Sequence, residues 1–292
     1  MKKKIFALGF FDGVHLGHQA LLAECCRMAQ AMDCIAAAIT FDRHPKSLFA
    51  HAPMLLNSIE DRKLLLRQFG IEQVFVLPVT REHMAQPWQD FLEKLLLEGA
   101  AGFVCGDDFR FGHKGEGNSQ HLEEFCRERT LPCSIVPEQS LDGIRISSTH
   151  IRNLIRDGEP ENAMKFLGHP HILGGTVVHG RHLGRTIGIP TANVQIPEDV
   201  AVPKPGVYAS ICWVEGTTYP AVTNIGSRPT VGGHQLRAES WLLDYQGDLY
   251  GAYLTVQVHH YLRPELKFDS LEQLQAQIRA DAAAARSKLA EK

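Results

Sequence analysis

The hydrophobic pattern of the chain changes once, near residue 170, and that change constrains the fold more than any other feature. Before it, apolar runs short enough for buried strands (5–8, 34–41, 73–77, 102–105 and 133–136) alternate with amphipathic stretches. Helices are predicted over 19–32, 58–69 and 88–97. Such alternation specifies an α/β fold with a doubly wound parallel sheet. After residue 170, segments rich in Gly, Val, Thr and Tyr follow one another without helices, at 173–178, 206–214, 219–224, 236–243 and 252–261. They predict a small antiparallel β-barrel, followed by an alanine-rich helix over 271–289 packed on it. Two domains also suit 292 residues, and we expect them at 1–157 and 171–292. A helical linker over 158–170, bounded by Pro160 and Pro170, joins them.

Composition narrows the classes of partner. A formal net charge of −3 gives no bulk basic surface, which argues against nucleic acid. Lys2, Lys3 and Lys4 precede an apolar run far too brief for a signal peptide or a membrane span, so a cytoplasmic protein without a membrane partner is expected. The seven cysteines form no CxxC pair and read as buried thiols in a reducing compartment.

Chemistry concentrates first in residues 9–18, GFFDGVHLGH, where the first strand hands over to the first helix. An α/β sheet keeps its ligand site at such a turn. His15 and His18 stand three residues apart at the helix start and can point the same way. Gly17 lets an anion approach the backbone, and the helix N-terminus attracts phosphate. The second strand ends in Phe41-Asp42-Arg43-His44-Pro45, a loop expected at the same sheet edge. Ser58 and Asp61 read as a capping pair. The fourth strand runs into GDDFRFG, residues 106–112, whose Asp107 and Asp108 beside Phe109 suit a ribose, an amine, a cation or a simple solvated turn. Glycines through Gly117 read as a mobile loop over the site. Arg145 and Arg152 flank Ser147, Ser148 and Thr149, which serve equally as helix caps or as a phosphate clamp.

The second half offers three stretches. Gly180, Gly184 and Arg185 lead through a glycine-rich segment to Pro190-Thr191-Ala192-Asn193, but no GK[ST] closes a P-loop. Thr191 and Asn193 would share one strand face and offer two neutral oxygens to a Mg2+ that keeps its waters. Residues 224–233 read as a Pro/Gly-rich flap. Glu239, in an otherwise apolar strand, is either an edge-strand surface charge or a placed general base. The pairs His169/His171, His179/His182 and His259/His260 lack a third ligand and read as surface or turn histidines.

GFFDGVHLGH, TFDRHP, GDDFRFG and RISSTHIR, in this order, resemble the adenylyltransferase module of prokaryotic bifunctional riboflavin kinase/FAD synthetases, relatives of the Rossmann-like HxGH nucleotidyltransferases. The PTAN tetrad with a Glu ahead of LLD resembles the riboflavin kinase module of the same family. The resemblance implies that ATP phosphorylates riboflavin to FMN in the second domain and adenylylates FMN to FAD in the first. It implies that His15 and His18 hold the ATP phosphates with Gly9, Phe11, Asp12 and Gly17, and that Arg145, Ser148, Thr149 and Arg152 close on the triphosphate. Asp108 and Phe109 would mark the boundary between nucleotide and flavin. In the kinase, Thr191 and Asn193 would bind Mg2+, Gly180, Gly184 and Arg185 the ATP, and Glu239 would deprotonate the riboflavin 5′-hydroxyl. Two competing readings are an adenylyltransferase for another phosphomonoester and a flavin-binding regulator without turnover. Self-association into a homo-oligomer is left open.

Overall fold

The computed structural model describes residues 2–48, 52–179, 188–230 and 233–291. The chain divides into two compact units, Met1–Pro53 with Arg62–Ser147, and Met54–Asp61 with Ser148–Lys292.

The first unit carries β1 (Lys4–Leu8), α1 (Leu16–Ala31), β2 (Ile35–Phe41), most of α2 (Ile59–Gln68), β3 (Gln73–Leu77), α3 (Arg81–Met84), α4 (Trp88–Leu97), β4 (Ala100–Gly106), α5 (Ser119–Glu128) and β5 (Cys133–Val136). A hairpin, β6 (Ser140–Leu141) with β7 (Ile144–Arg145), ends it. The five strands pair in parallel in the order β3-β2-β1-β4-β5. This order confirms the doubly wound reading and sets the topological switch point between β1 and β4, where a ligand crevice belongs. Both strand faces are apolar because both are covered. Phe6, Leu8, Phe103 and Cys105 pack with Leu92, Leu95, Leu122 and Phe125 of α4 and α5. On the other face the Cys25 thiol of α1 donates to the Ile5 carbonyl at 3.3 Å.

Two differences from expectation have local causes. Helix α1 begins three residues earlier than its apolar period suggests, because His15 caps it. The glycine-rich loop after β4 is anchored: Phe111 and Gly117 exchange backbone hydrogen bonds of 3.1 and 2.9 Å, and the Phe111 ring is part of the core. Asn118 then caps α5 by accepting from the His121 N–H at 2.9 Å.

The second unit opens with α6 (Ser148–Asp157) and α7 (Pro160–Leu167), tied by the rings of His150 and Phe166, 4.6 Å apart. By packing, therefore, the units divide at Ser147/Ser148. Six strands follow: β8 (His171–Val178), β9 (Ala192–Gln195), β10 (Gly206–Val214), β11 (Thr217–Thr230), β12 (Gly233–Leu242) and β13 (Tyr253–Arg263). They close a barrel in the order β10-β11-β12-β9-β8-β13. Alternate residues, among them Val194, Tyr208, Ala221, Ile225, Ala238 and Leu254, fill its interior. The intervening positions Val207, Ala209 and Val222 pack outward against Ala282 and Ala285 of α8 (Leu271–Ala290). Arg263 holds that helix by a two-pronged pair with Asp281, at 2.9 and 2.7 Å. The segment 224–230, read as a flap, is instead laddered into β11 and β12, from Asn224 opposite Glu239 to Thr230 opposite Gly233.

Residues from the first half of the sequence complete this unit. The Leu55 N–H donates to the Asp199 carbonyl and its carbonyl accepts from Ala201 N–H, both at 2.7 Å. Asp61, 1% exposed, accepts from the Gly174 N–H, the Ser58 hydroxyl and the Tyr253 hydroxyl, each at 2.9 Å. Burial still pushes its carboxyl above the usual range, against those three hydrogen bonds.

Candidate functional site

In the first unit, the turn after β1 is built from tightly constrained backbone. Phe11, Gly13 and Val14 all have positive φ, at 57°, 82° and 41°. For a β-branched residue such as Val14 this is strained geometry, which surrounding structure must enforce. The Phe11 ring folds back over Gly9 and is fully buried; a Cβ at Gly9 would meet the ring at 2.8 Å. The same ring stands edge-on to His18 at 5.3 Å, so Phe11 forms the floor of the turn. Asp12 is buried beside it.

The two imidazoles come together as the spacing predicts, stacked with centroids 3.6 Å apart and planes 13° from parallel. His15 Nδ1 accepts the His18 backbone N–H at 3.3 Å. An accepting Nδ1 carries no proton, so the hydrogen-bond pattern assigns His15 as the neutral tautomer with its proton on Nε2. Burial first, then the neighbouring His15 and Arg62, hold His18 well below the ordinary histidine value. Both imidazoles of the turn are therefore uncharged, and what the turn offers to an anion is N–H donors and the positive end of α1. Gly17 keeps the space beside them open, since a Cβ there would sit 3.3 Å from His15 Nδ1 and press on the ring.

The loops after β2 and β4 share this edge. Thr40 donates its hydroxyl to the Phe10 carbonyl at 2.7 Å, and the Phe10 ring meets His44 at 5.2 Å. Asp42 is occupied structurally, accepting from Val79 N–H at 2.8 Å. After β4, Asp108 is exposed and receives Arg145 Nη2 at 2.7 Å; Arg145 also pairs with Glu138. Phe109 stacks on Phe111 at 5.6 Å. Thus the acidic residue and the arginine, 37 positions apart in sequence, form one charged cluster. Ser148, Thr149 and Arg152 belong to α6 in the second unit, where Arg152 Nη1 donates to Thr149 Oγ1 at 3.5 Å.

In the barrel, strand register rather than sequence proximity assembles the polar groups. Glu239 of β12 lies directly opposite Asn193 of β9 on one side and Asn224 of β11 on the other. Their neighbours Ala192, Ala238 and Ile225 point into the barrel, so this row occupies its outer face. β12 has a partner on both sides, which removes the edge-strand account of Glu239. Asn193 is 5% exposed; its Nδ2 donates to the Thr191 carbonyl at 3.5 Å, and its buried Oδ1 has no hydrogen-bond partner among the described residues. Thr191 immediately precedes β9. Asn224 Nδ2 donates to Glu265 Oε1 at 3.0 Å. Gly180, Gly184 and Arg185 lie outside the described residues.

Sequence reasoning passed over two groups. Arg62 lies in a stretch, EDRKLLLRQ, that reads as a solvated helix face, yet it is fully buried. Glu265 followed a proline with no motif to mark it. One expectation is corrected: His169 and His171 are not surface histidines but 8% and 1% exposed, and burial lowers His171 to about 3. Among the described residues no helix is long and apolar enough to cross a membrane.

A family model described as FAD synthetase matches residues 1–150, and one described as riboflavin kinase matches 167–289. The chain is 37% identical over 283 residues to the bifunctional riboflavin kinase/FMN adenylyltransferase of Listeria monocytogenes, covering 95% of this chain and 90% of that protein. It is 37% identical over 287 residues to the Escherichia coli K12 protein of the same name, covering 97% and 91%. A crystal structure from Streptococcus pneumoniae, described as a macrolide-efflux protein, superposes with a TM-score of 0.82 at 30% identity, over 98% of this chain and 94% of that one. With both halves matched and relatives aligned almost end to end, the chain belongs to the bifunctional riboflavin kinase/FMN adenylyltransferase family.

Proposed function

We propose that the two halves of FAD synthesis are divided between the stacked imidazole turn and the Glu239 row, each on its own fold. The chain is a transferase of FMN and FAD biosynthesis. One reaction transfers the γ-phosphoryl group of ATP to the riboflavin 5′-hydroxyl, giving FMN and ADP. The other transfers AMP from ATP to the FMN phosphate, giving FAD and pyrophosphate.

The difference between the sites follows from their nucleophiles. A hydroxyl must lose its proton as it attacks, and Glu239, set between two asparagines, is the general base we assign. The FMN phosphate is already anionic and needs no base. It needs charge on the triphosphate dispersed and the reactants aligned, the work of N–H donors and cations. We assign His15 and His18 to the ATP phosphates within the turn formed by Gly9, Phe11, Asp12 and Gly17. From the resemblance alone we assign Arg145, Ser148, Thr149 and Arg152 to the triphosphate, and Asp108 with Phe109 to the flavin boundary. Buried and without a hydrogen-bond partner among the described residues, Asn193 Oδ1, near Thr191 in sequence, suits a hard cation. These two residues would hold Mg2+, which neutralises charge on the phosphoryl oxygens. Gly180, Gly184 and Arg185 are assigned to the kinase ATP from the resemblance. We place the enzyme in the cytoplasm, acting on riboflavin, FMN and ATP without nucleic acid or membrane.

The observation that carries this division is the presence of Glu239 and the imidazole pair in separate compact units. Products of incubation with riboflavin, ATP and Mg2+ test it. The double variant His15→Ala/His18→Ala is expected to stop at FMN, and Glu239→Ala to make FAD only from supplied FMN. Loss of both activities in either variant, or FMN formation at the parent rate in Glu239→Ala, overturns the assignment.

A further inference from the structure

Arg62 is among the largest fully buried side chains of the molecule, and nothing in the mechanism above uses it. Its Nη1 donates to Thr40 Oγ1 at 3.1 Å and to the Phe41 carbonyl at 2.9 Å. Thr40 passes the contact on, donating to the Phe10 carbonyl at 2.7 Å. The guanidinium carbon lies 4.4 Å from the centre of the Phe10 ring, a cation–π contact. One guanidinium thus fastens the C-terminal end of β2 to the second residue of the turn that carries both imidazoles. Burying a permanent charge is costly, and a purely structural link between a strand end and a turn is made more cheaply by neutral groups. What a buried arginine adds is a permanent positive charge, which a neutral link lacks. That charge acts on His18, whose proton affinity Arg62 helps to lower.

We propose that Arg62 is a positioning residue of the adenylyltransferase site, holding the turn through Thr40 and Phe10 while supplying from beneath it a permanent positive charge for the incoming triphosphate. This rests on the assignment of the turn to ATP. Because the charge is present before and during transfer, its loss should weaken ATP binding more than it slows the chemical step.

The test uses the full-length protein with three variants. FAD formation from supplied FMN isolates the adenylyltransferase reaction, and NMR of the His18 imidazole reports on the turn directly, during a pH titration and during addition of pyrophosphate. Arg62→Met is expected to raise the KM for ATP roughly tenfold or more, the scale of one charge-assisted contact. The His18 titration midpoint should move upward and pyrophosphate should bind more weakly. Arg62→Lys keeps the charge and is expected to recover most of the ATP affinity. Thr40→Val keeps the guanidinium but cuts the link to Phe10, so KM should rise while the His18 midpoint stays near that of the parent. An Arg62→Met protein with parent KM and parent His18 midpoint overturns the proposal, as does an Arg62→Lys protein no better than Arg62→Met. Should Arg62→Met not fold, Arg62→Gln, which also removes the charge, takes its place, and a parent KM with a parent His18 midpoint in that variant has the same force. A parent protein that forms no FAD would sink the assignment of the turn instead, while the His18 titration would still decide whether Arg62 acts on it.

Discussion

At the scale of single residues, the proposed sites turn on individual donors and acceptors. Asn193 is the clearest case, because an amide oxygen buried without a hydrogen-bond partner among the described residues carries a desolvation cost that a bound cation would offset. Asn193→Ala is expected to raise the Mg2+ concentration needed for half-maximal FMN formation by at least roughly tenfold, as losing even a ligand's supporting group does. FAD formation from supplied FMN should be unaffected; an unchanged Mg2+ requirement for FMN formation would remove Asn193 from the cation site. The residue types of both sites were legible in the sequence because short motifs carry them. Arg62 was not, since an arginine between Asp61 and Lys63 on an amphipathic helix has every local mark of solvent exposure, and only the fold reveals that Phe10 and Thr40 cover it.

At the scale of elements, hydrophobic period located the strands of the parallel sheet to within a residue or two. Such strands are buried on both faces and stand out from their surroundings. Helix α5 was passed over although its signals were present: an Asn118 cap and Leu122, Phe125 and Cys126 at helical spacing. The glycines before it drew attention away. In the barrel, Pro229 and the glycines around it suggested a flap, whereas pairing continues along both strands, an outcome decided by long-range register that no local pattern encodes. Register also builds a polar chain inside the barrel. Ser210, Thr223 and Ser240, all fully buried on three neighbouring strands, link their hydroxyls at 2.6 and 2.8 Å. Thr223→Val keeps the volume and removes the middle link, which leaves the outer hydroxyls with one partner fewer. It is expected to cost about 1–3 kcal/mol in chemical denaturation. A change within a few tenths of a kcal/mol would mean that the chain contributes nothing to stability.

At the scale of the whole molecule, stability should respond to pH through buried histidines. Burial keeps His171 at about 3 and His259 at about 4, below the ordinary histidine value of 6.5. Between those values the unfolded chain binds protons that the native chain refuses, so stability is complete above about pH 6.5 and declines as pH falls below it. For His171 the decline approaches about 1.4 kcal/mol per pH unit. His171→Gln, which does not titrate, should flatten the dependence of the urea midpoint between pH 7 and pH 5; an unaltered slope would show that other groups govern acid sensitivity. The early segment at Leu55 to Asp61 has a consequence of another kind. Reading order and module membership do not coincide: the barrel unit borrows residues encoded far upstream of its first helix, at Met54–Asp61 against Ser148. A gene split at a single point after Ser147 would therefore deliver a kinase fragment whose Gly174 N–H and Tyr253 hydroxyl have lost Asp61. Such a fragment, 148–292, should unfold at lower urea than the same unit in the full chain, and a peptide of residues 54–61 supplied in trans should restore part of the difference. The bifunctional chain is in this respect a fusion that cannot be undone by one cut.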